Sequence, residues 1–187
     1  TGFMPSQAPS GDGINLSGGT TAITNLGTIV GGPDGSWPTY GIRLTGSASI
    51  STLTNLQGGN SPLTYYGALP STYNVVVRSS TNFGKLEVDW SSGSLTFGVD
   101  STSILGANRY VNVLKGIGAS AIANEGTEFT LGSFAWSLIA GSTANNWDLE
   151  VSLLPGIGVG TSVDIANSST TSFVGGTILV SSSGEYG

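Results

Sequence analysis

Gly13-Ile14-Asn15-Leu16-Ser17-Gly18, followed by Ala22-Ile23-Thr24-Asn25-Leu26-Gly27, is written a second time in this chain. The second copy reads Gly41-Ile42-Arg43-Leu44-Thr45-Gly46, then Thr52-Leu53-Thr54-Asn55-Leu56-Gln57. The step from Gly13 to Gly41 is shorter by two than the step from Ala22 to Thr52, so two residues were added between the halves. A nearly fixed period of this length is the mark of stacked repeats. Ile14 and Leu16 alternate with Asn15, and Ile42 and Leu44 with Arg43, so each pair leaves one face of an extended segment. Glycines and small polar residues between the runs supply the bends. One such unit has too small an apolar face to bury alone, and stacking two of them makes a shared core. The expectation is a parallel β-helix with Asn25 above Asn55 in an amide ladder at an inner bend. Two unrelated hairpins, with Asn in a turn, are the plainer alternative.

The composition around this repeat agrees with all-β structure. Glycine contributes 30 of 187 residues, serine and threonine together 49, and charged residues only 9%. Low charge would suggest disorder in an apolar-poor chain, but the mean hydropathy is +0.18 and large apolar residues are spread throughout. The formal net charge is −6, and the five basic residues (Arg43, Arg78, Lys85, Arg109, Lys115) are scattered. That leaves no patch to neutralise phosphates, so no nucleic-acid partner is expected, nor an anionic membrane surface. No apolar run approaches the ~20 residues of a membrane span. Cysteine is absent, which excludes disulfides and thiolate metal sites. Much Ser, Thr, Gly and Asn with little Lys suits an extracellular protein of a bacterial cell surface. Thr1 is compatible with a processed end or an excised fragment.

In chain order, residues 1–12 read as an arm interrupted by Pro5 and Pro9, with Phe3 able to dock on a neighbour. Residues 13–58 are the β-helix repeats. Between the copies, Pro33-Asp34-Gly35 is a tight turn that projects Trp37 and Tyr40 from the coil edge, as sugar-stacking candidates or as packing against the next layer. Residues 59–153 form a β-rich module, entered through a linker, Gly59 to Gly67, that carries Tyr65 and Tyr66. There Tyr73 to Arg78 and Arg109 to Leu114 are strands, and Leu86, Val88 and Trp90 alternate with Lys85, Glu87 and Asp89. Ser91-Ser92-Gly93 reads as a hairpin loop leading to Leu95, Phe97 and Val99. Residues 132–138 and 146–151 form a further hairpin around Gly141 to Ala144, and the best helix candidate, Gly118 to Asn124, is short. Half-polar alternation argues for antiparallel sheets with one wet face, a β-sandwich-like region. Residues 154–187 return to Gly- and Ser-bounded strands, including Ile178 and Val180, that resume the β-helix or exchange with a neighbour.

Several of these segments together, Tyr66 to Val77, Asn82 to Leu86, Leu95 to Asp100, Trp136-Ser137-Leu138 and Trp147-Asp148-Leu149, resemble a module of bacterial autotransporter-like passengers. In such proteins it follows Ile-Thr-Asn-x-Gly-Thr-Ile repeats, here Ile23 to Ile29. The resemblance covers roughly Gly13 to Val151. It implies a secreted, surface-displayed β-helical protein with adhesive or structural roles. The C-terminal end departs from the pattern, because nothing in it resembles the membrane barrel that exports such passengers.

Enzymatic arrangements are sparse. Without histidine and cysteine, Ser-His-Asp, Cys-His and ordinary zinc sites are impossible. Lys85 or Lys115 lacks a motif for a Ser-Lys pair. Glu87 and Asp89 share a strand face at a glycosidase-like separation, but Lys85 completes the row as on a solvated surface. Asp12, Asp34 and Arg43 are dispersed for a β-helix lyase. Gly156-Ile157-Gly158-Val159-Gly160 precedes no capped helix. Asp34, Asp100 and Asp164 are turn residues rather than calcium ligands. No cofactor and no metal are expected.

The reading is thus a non-enzymatic, extracellular, all-β protein of short parallel β-helix coils plus antiparallel strands. Its leading function is a subunit of a surface filament, assembled head-to-tail through bare solenoid ends with itself or with other surface proteins. The alternatives are an adhesin or carbohydrate-binding passenger using Trp37, Tyr40, Tyr65 and Tyr66 on glycans, and a polysaccharide-active enzyme. Phe3, Ile178 and Val180 complete the candidate contact residues.

Overall fold

The repeated halves fall on two facing sheets. The computed structural model describes residues 11–32 and 38–155. In the first coil, β1 (Ile14–Leu16) and β2 (Thr20–Asn25) lie on opposite sheets, and β3 (Ile42–Leu44) and β4 (Ser49–Asn55) repeat the arrangement beneath them. β1 pairs parallel with β3, Ile14 on Ile42 and Leu16 on Leu44. β2 pairs parallel with β4, Ile23 on Leu53 and Asn25 on Asn55. The two added residues are visible in the register. Thr20 and Thr21 face Ser49 and Ile50, one position beyond the β1–β3 step, and Ala22 faces Thr52, one position beyond that. One residue therefore went into the bend between β3 and β4. The other is Ser51, bulged out of the ladder, its hydroxyl donating to Thr21 O at 3.1 Å.

The coils do not stop at Gly58. β5 (Leu63–Ala68), β6 (Thr72–Val75), β7 (Leu86–Ser92) and β8 (Thr96–Val99) complete a solenoid of four coils, with sheet orders β1-β3-β5-β7 and β2-β4-β6-β8. The expected linker at Gly59 to Gly67 is therefore largely strand. Ser91-Ser92-Gly93 is not a hairpin loop, because β7 and β8 belong to different sheets and the segment is a corner. Half-polar alternation misled here for a definite reason. Parallel sheets between crossover helices are covered on both faces, whereas each sheet of a solenoid is covered on one only. β5 alternates buried and half-exposed residue by residue although both its neighbours are parallel.

Antiparallel structure begins after the coils. β9 (Asn108–Lys115) pairs parallel with the start of β7 over two residues, then antiparallel with β12 (Asn146–Leu153), which continues to β11 (Phe134–Ala140) and β10 (Phe129–Leu131). The hairpin expected around Gly141 to Ala144 is β11–β12. The helical candidate is a single 3-10 turn, Ala119–Ala121. The segment around this turn lies along the edge of β8. Leu95 N–H donates to Ala121 O, and the Asn124 side chain accepts from Phe97 N–H at 2.9 Å while donating to Phe97 O at 2.8 Å. The amide of Asn124 thus stands in for the strand that a fifth coil would provide. Trp136 packs edge-on to Phe97, and Trp147 donates its indole N–H to Ile117 O.

The core runs through the middle of this stack. Ile42, Leu63, Tyr65 and Leu86 from one sheet meet Ile50, Leu53, Tyr73, Val75 and Phe97 from the other, and the antiparallel end adds Leu114, Trp136, Leu138 and Leu149. Three amides join it. Asn25 donates to Asn55 Oδ1 and to Gln57 Oε1, both at 3.0 Å, and Asn55 Oδ1 also accepts from Gln57 N–H. The Asn55 amide nitrogen has Gln57 O, Tyr73 Oη and Lys85 O around it at 3.0 to 3.2 Å. Gln57 reaches back to Ile29, accepting from its N–H at 2.7 Å and donating to its carbonyl. The expected ladder is therefore present for two coils, and its next two rungs are Val75 and Val99. The coil passes so close beside it that a Cβ on Gly84 would lie 2.1 Å from Asn55 O.

Removing a buried amide from this group strands its partners, at about 1–3 kcal/mol for each group left unpaired. Asn55→Ala is expected to lower stability by about 3 kcal/mol or more, and Asn25→Ala by less, because it serves fewer groups. Urea unfolding midpoints of the two variants check the order.

Candidate functional site

The outer face of the larger sheet carries the site. Register stacks Asn15, Arg43 and Tyr66 in one outward row. The next member is Trp90, and it arrives there by a bulge. Tyr65 lies on Val88 but Tyr66 lies on Trp90, so Asp89 is an extra residue in β7. Strict alternation from Leu86 and Val88 puts Trp90 in the core. The inserted residue reverses its side, and Trp90 is 52% exposed.

The rings form a continuous stripe. Tyr40, from the segment entering β3, lies 5.2 Å from Tyr66, and Tyr66 lies 5.4 Å from Trp90, centroid to centroid, at tilts of 34° and 32°. The Arg43 guanidinium sits 4.6 Å from the Tyr40 ring and 4.8 Å from the Tyr66 ring. Asp12 sets this arrangement. Its carboxylate accepts from Arg43 Nε at 2.7 Å, from Tyr40 N–H at 2.8 Å and from Asn15 Nδ2 at 3.2 Å. Arg43 also donates to Pro38 O at 2.8 Å. Asp12 and Arg43, dispersed in sequence, are thus one ion pair. The Tyr40 hydroxyl donates to Asp89, tying the bulge to the stripe.

Beside the stripe runs a groove of about 320 Å³, bounded by Leu44, Ala48, Tyr66, Gly67, Trp90 and Ser92. That is the lower end of the size range for small-ligand sites. Trp90 forms one wall and stands at the end of the aromatic row. The expected carboxylate pair is divided between two tasks, since Asp89 holds the Tyr40 hydroxyl and Glu87 meets Lys115 Nζ at 2.8 Å.

The sequence candidates are distributed as follows. Tyr40 and Tyr66 come together. Tyr65 is a core residue, fully buried, its hydroxyl donating to Ala68 O, and it does not face solvent. Phe3, Trp37, Ile178 and Val180 lie outside the described residues. Arg43, Asp12, Asp89 and Trp90 are the members that sequence reasoning missed. The signal for Trp90 was slight: Tyr66 and Trp90 stand one position further apart along the chain than Tyr65 and Val88. Compared with protein-family models, curated proteins and solved structures, the chain matches none. The functional reading therefore rests on the geometry.

Burial, followed by the hydrogen bond and charge of Asp89, pushes the Tyr40 hydroxyl from the ordinary 10.0 up to about 12. Burial also raises Tyr65 and Tyr73. The fold favours the protonated phenols. Their contribution is whole below pH 10.0 and is lost as pH rises through 10.0 towards 12 and beyond. Urea midpoints should hold up to about pH 10 and then fall, and Tyr40→Phe should make the fall shallower. A midpoint independent of pH in that range would contradict the buried, protonated state of these phenols.

Proposed function

We propose that this is a surface-exposed, non-enzymatic β-solenoid that binds a neutral saccharide on the stripe ending at Trp90. The half-exposed indole, lined up with Tyr66 at the mouth of a groove, carries the reading. The apolar C–H face of a pyranose packs on an indole, and the hydroxyls at the sugar's rim need acceptors and donors. Asp89, exposed beside Trp90, and Ser92, lining the groove, supply them. Arg43 is already engaged by Asp12, and the chain bears a net charge of −6, so uronic or sulfated sugars are disfavoured. The composition, rich in Ser, Thr, Gly and Asn and poor in Lys, supports an extracellular setting, as does the resemblance to autotransporter-like passengers.

Assembly into a filament is the second reading, favoured by the outer edges of β1 and β2, on which no strand among the described residues pairs. End-to-end growth needs a bare counterpart at the other end of the coils. There the segment leading to Asn124 runs along β8.

A glycan array followed by calorimetric titration tests the first reading. The wild-type chain should bind neutral oligosaccharides. Trp90→Ala should weaken binding at least ~10-fold, because truncating a tryptophan anchor at the centre of a binding site costs about 2 kcal/mol or more. Its unfolding midpoint should move little, since Trp90 is outside the core. Silence of the wild-type chain across the array, or unchanged binding by the variant, would remove the reading.

A further inference from the structure

The rings of the outer stripe are occupied by one another, except at the last member. At centroid distances of 5.2 and 5.4 Å, Tyr40 with Tyr66 and Tyr66 with Trp90 cannot lie side by side in one plane. Ring carbons would then come well inside the ~3.5 Å of van der Waals contact. The tilts of 34° and 32° belong to the arrangement that remains, in which each ring turns part of a face towards the next. Tyr66 is flanked in this way from both sides. The Arg43 guanidinium lies against it as well, at 4.8 Å, and against Tyr40 at 4.6 Å. Exposure follows the same order. Tyr40 is 6% exposed, Tyr66 is half-buried and Trp90 is 52% exposed.

The surroundings of Trp90 restrict the site further. β9 pairs with β7 only at Leu86 and Glu87, so no strand among the described residues continues the row beyond Trp90. Apart from Tyr66 and Trp90, the residues lining the groove are small or aliphatic. Gly46 and Gly67 line it at positive φ, and a Cβ on them would lie 2.7 Å from Ser17 O and 2.6 Å from Leu44 O. Tight stacking of the coils therefore keeps larger side chains off these two positions. The depression of about 320 Å³ that results is at the small end of ligand sites.

We propose that the site stacks one sugar unit, on Trp90 alone, and does not follow a glycan along the aromatic row. Tyr40, Tyr66 and Arg43 are a filled stack. Their faces are spent on one another, and together they hold the indole at the mouth of the groove. Units next to the stacked one find no second ring. This inference rests on the saccharide reading and narrows it. The ligand is a neutral glycan recognised through a single unit, not through the length of a repeating chain.

Calorimetric titration of the full chain with cello-, malto-, manno-, galacto- and chito-oligosaccharides, from disaccharide to hexasaccharide, tests this. A single stacking position gains from length only through the number of registers a chain offers. The hexasaccharide of a bound series should therefore be no more than ~3-fold tighter than its disaccharide. Rings used one after another would act as linked sites, and the gain would be at least ~10-fold. Trp90→Ala should weaken the hexasaccharide by the same factor as the disaccharide, because no other ring takes over. A gain above ~3-fold overturns the single-unit site and leaves the saccharide reading standing. A hexasaccharide that keeps its affinity for the variant, while the disaccharide loses it, does the same. No binding to any series removes both.

Discussion

Three buried amides hold the first half of this molecule in register. Asn25, Asn55 and Gln57 sit where the chain turns out of one sheet, and all three are almost wholly buried. An amide in that position must find partners within the protein, and here the partners are the amide of the adjacent coil and the backbone of the bend. A slip of one residue between β2 and β4 would separate the side chains and turn the apolar rows outward. Among the described residues no buried side-chain polar atom is left without a partner. Polar satisfaction and apolar burial therefore select the same register.

The solenoid then changes its means of support. Below Asn55 the corresponding positions are Val75 and Val99, and the bend is held by a hydroxyl instead of an amide, Ser103 Oγ accepting from Val77 N–H at 3.0 Å. The change coincides with shorter coils. Ile42 to Tyr65 and Tyr65 to Val88 are equal steps along the chain, and each is five positions shorter than the step from Ile14 to Ile42. The aromatic residues Tyr65, Tyr73 and Phe97 fill the interior of these later coils. At the last coil the side chain of Asn124 and the antiparallel strands β9 to β12 finish the stack, with Trp136 and Trp147 closing over it. A buried carboxylate, Asp148, ties this end together by accepting from Arg109 Nε and from the N–H of Asn112, a residue at positive φ.

The outer face is governed by a different local event. One inserted residue, Asp89, turns Trp90 out of the core and onto the row begun by Arg43 and Tyr66. The same residue then binds the Tyr40 hydroxyl, so the bulge and the stripe stabilise one another. Bulges of this kind re-aim side chains next to binding sites. The saccharide reading depends on that re-aiming, since without it the row would end at Tyr66 and the groove would lose a wall.

The sequence by itself determined the all-β class, the stacking of the first two coils, the Asn25–Asn55 contact and the β11–β12 hairpin. Each of these is a local pattern or a literal repeat, and both are readable along the chain. Tertiary structure alone decided that the coils continue through Tyr65 and Phe97, because stacking requires matching apolar rows and not matching letters, and the coil length there had changed. It also decided which residues face outward. Alternation assigns sides only while no residue is inserted, and a bulge is recognised from the strand opposite, which lies a whole coil away along the chain. For that reason Trp90, read as core, lies at the surface, while Tyr65, read as a surface ring on a linker, lies in the core because that segment is a strand of the third coil. The Asp12–Arg43 pair was hidden in the same way, since only the stacking of one coil on the next brings residues 31 positions apart into contact.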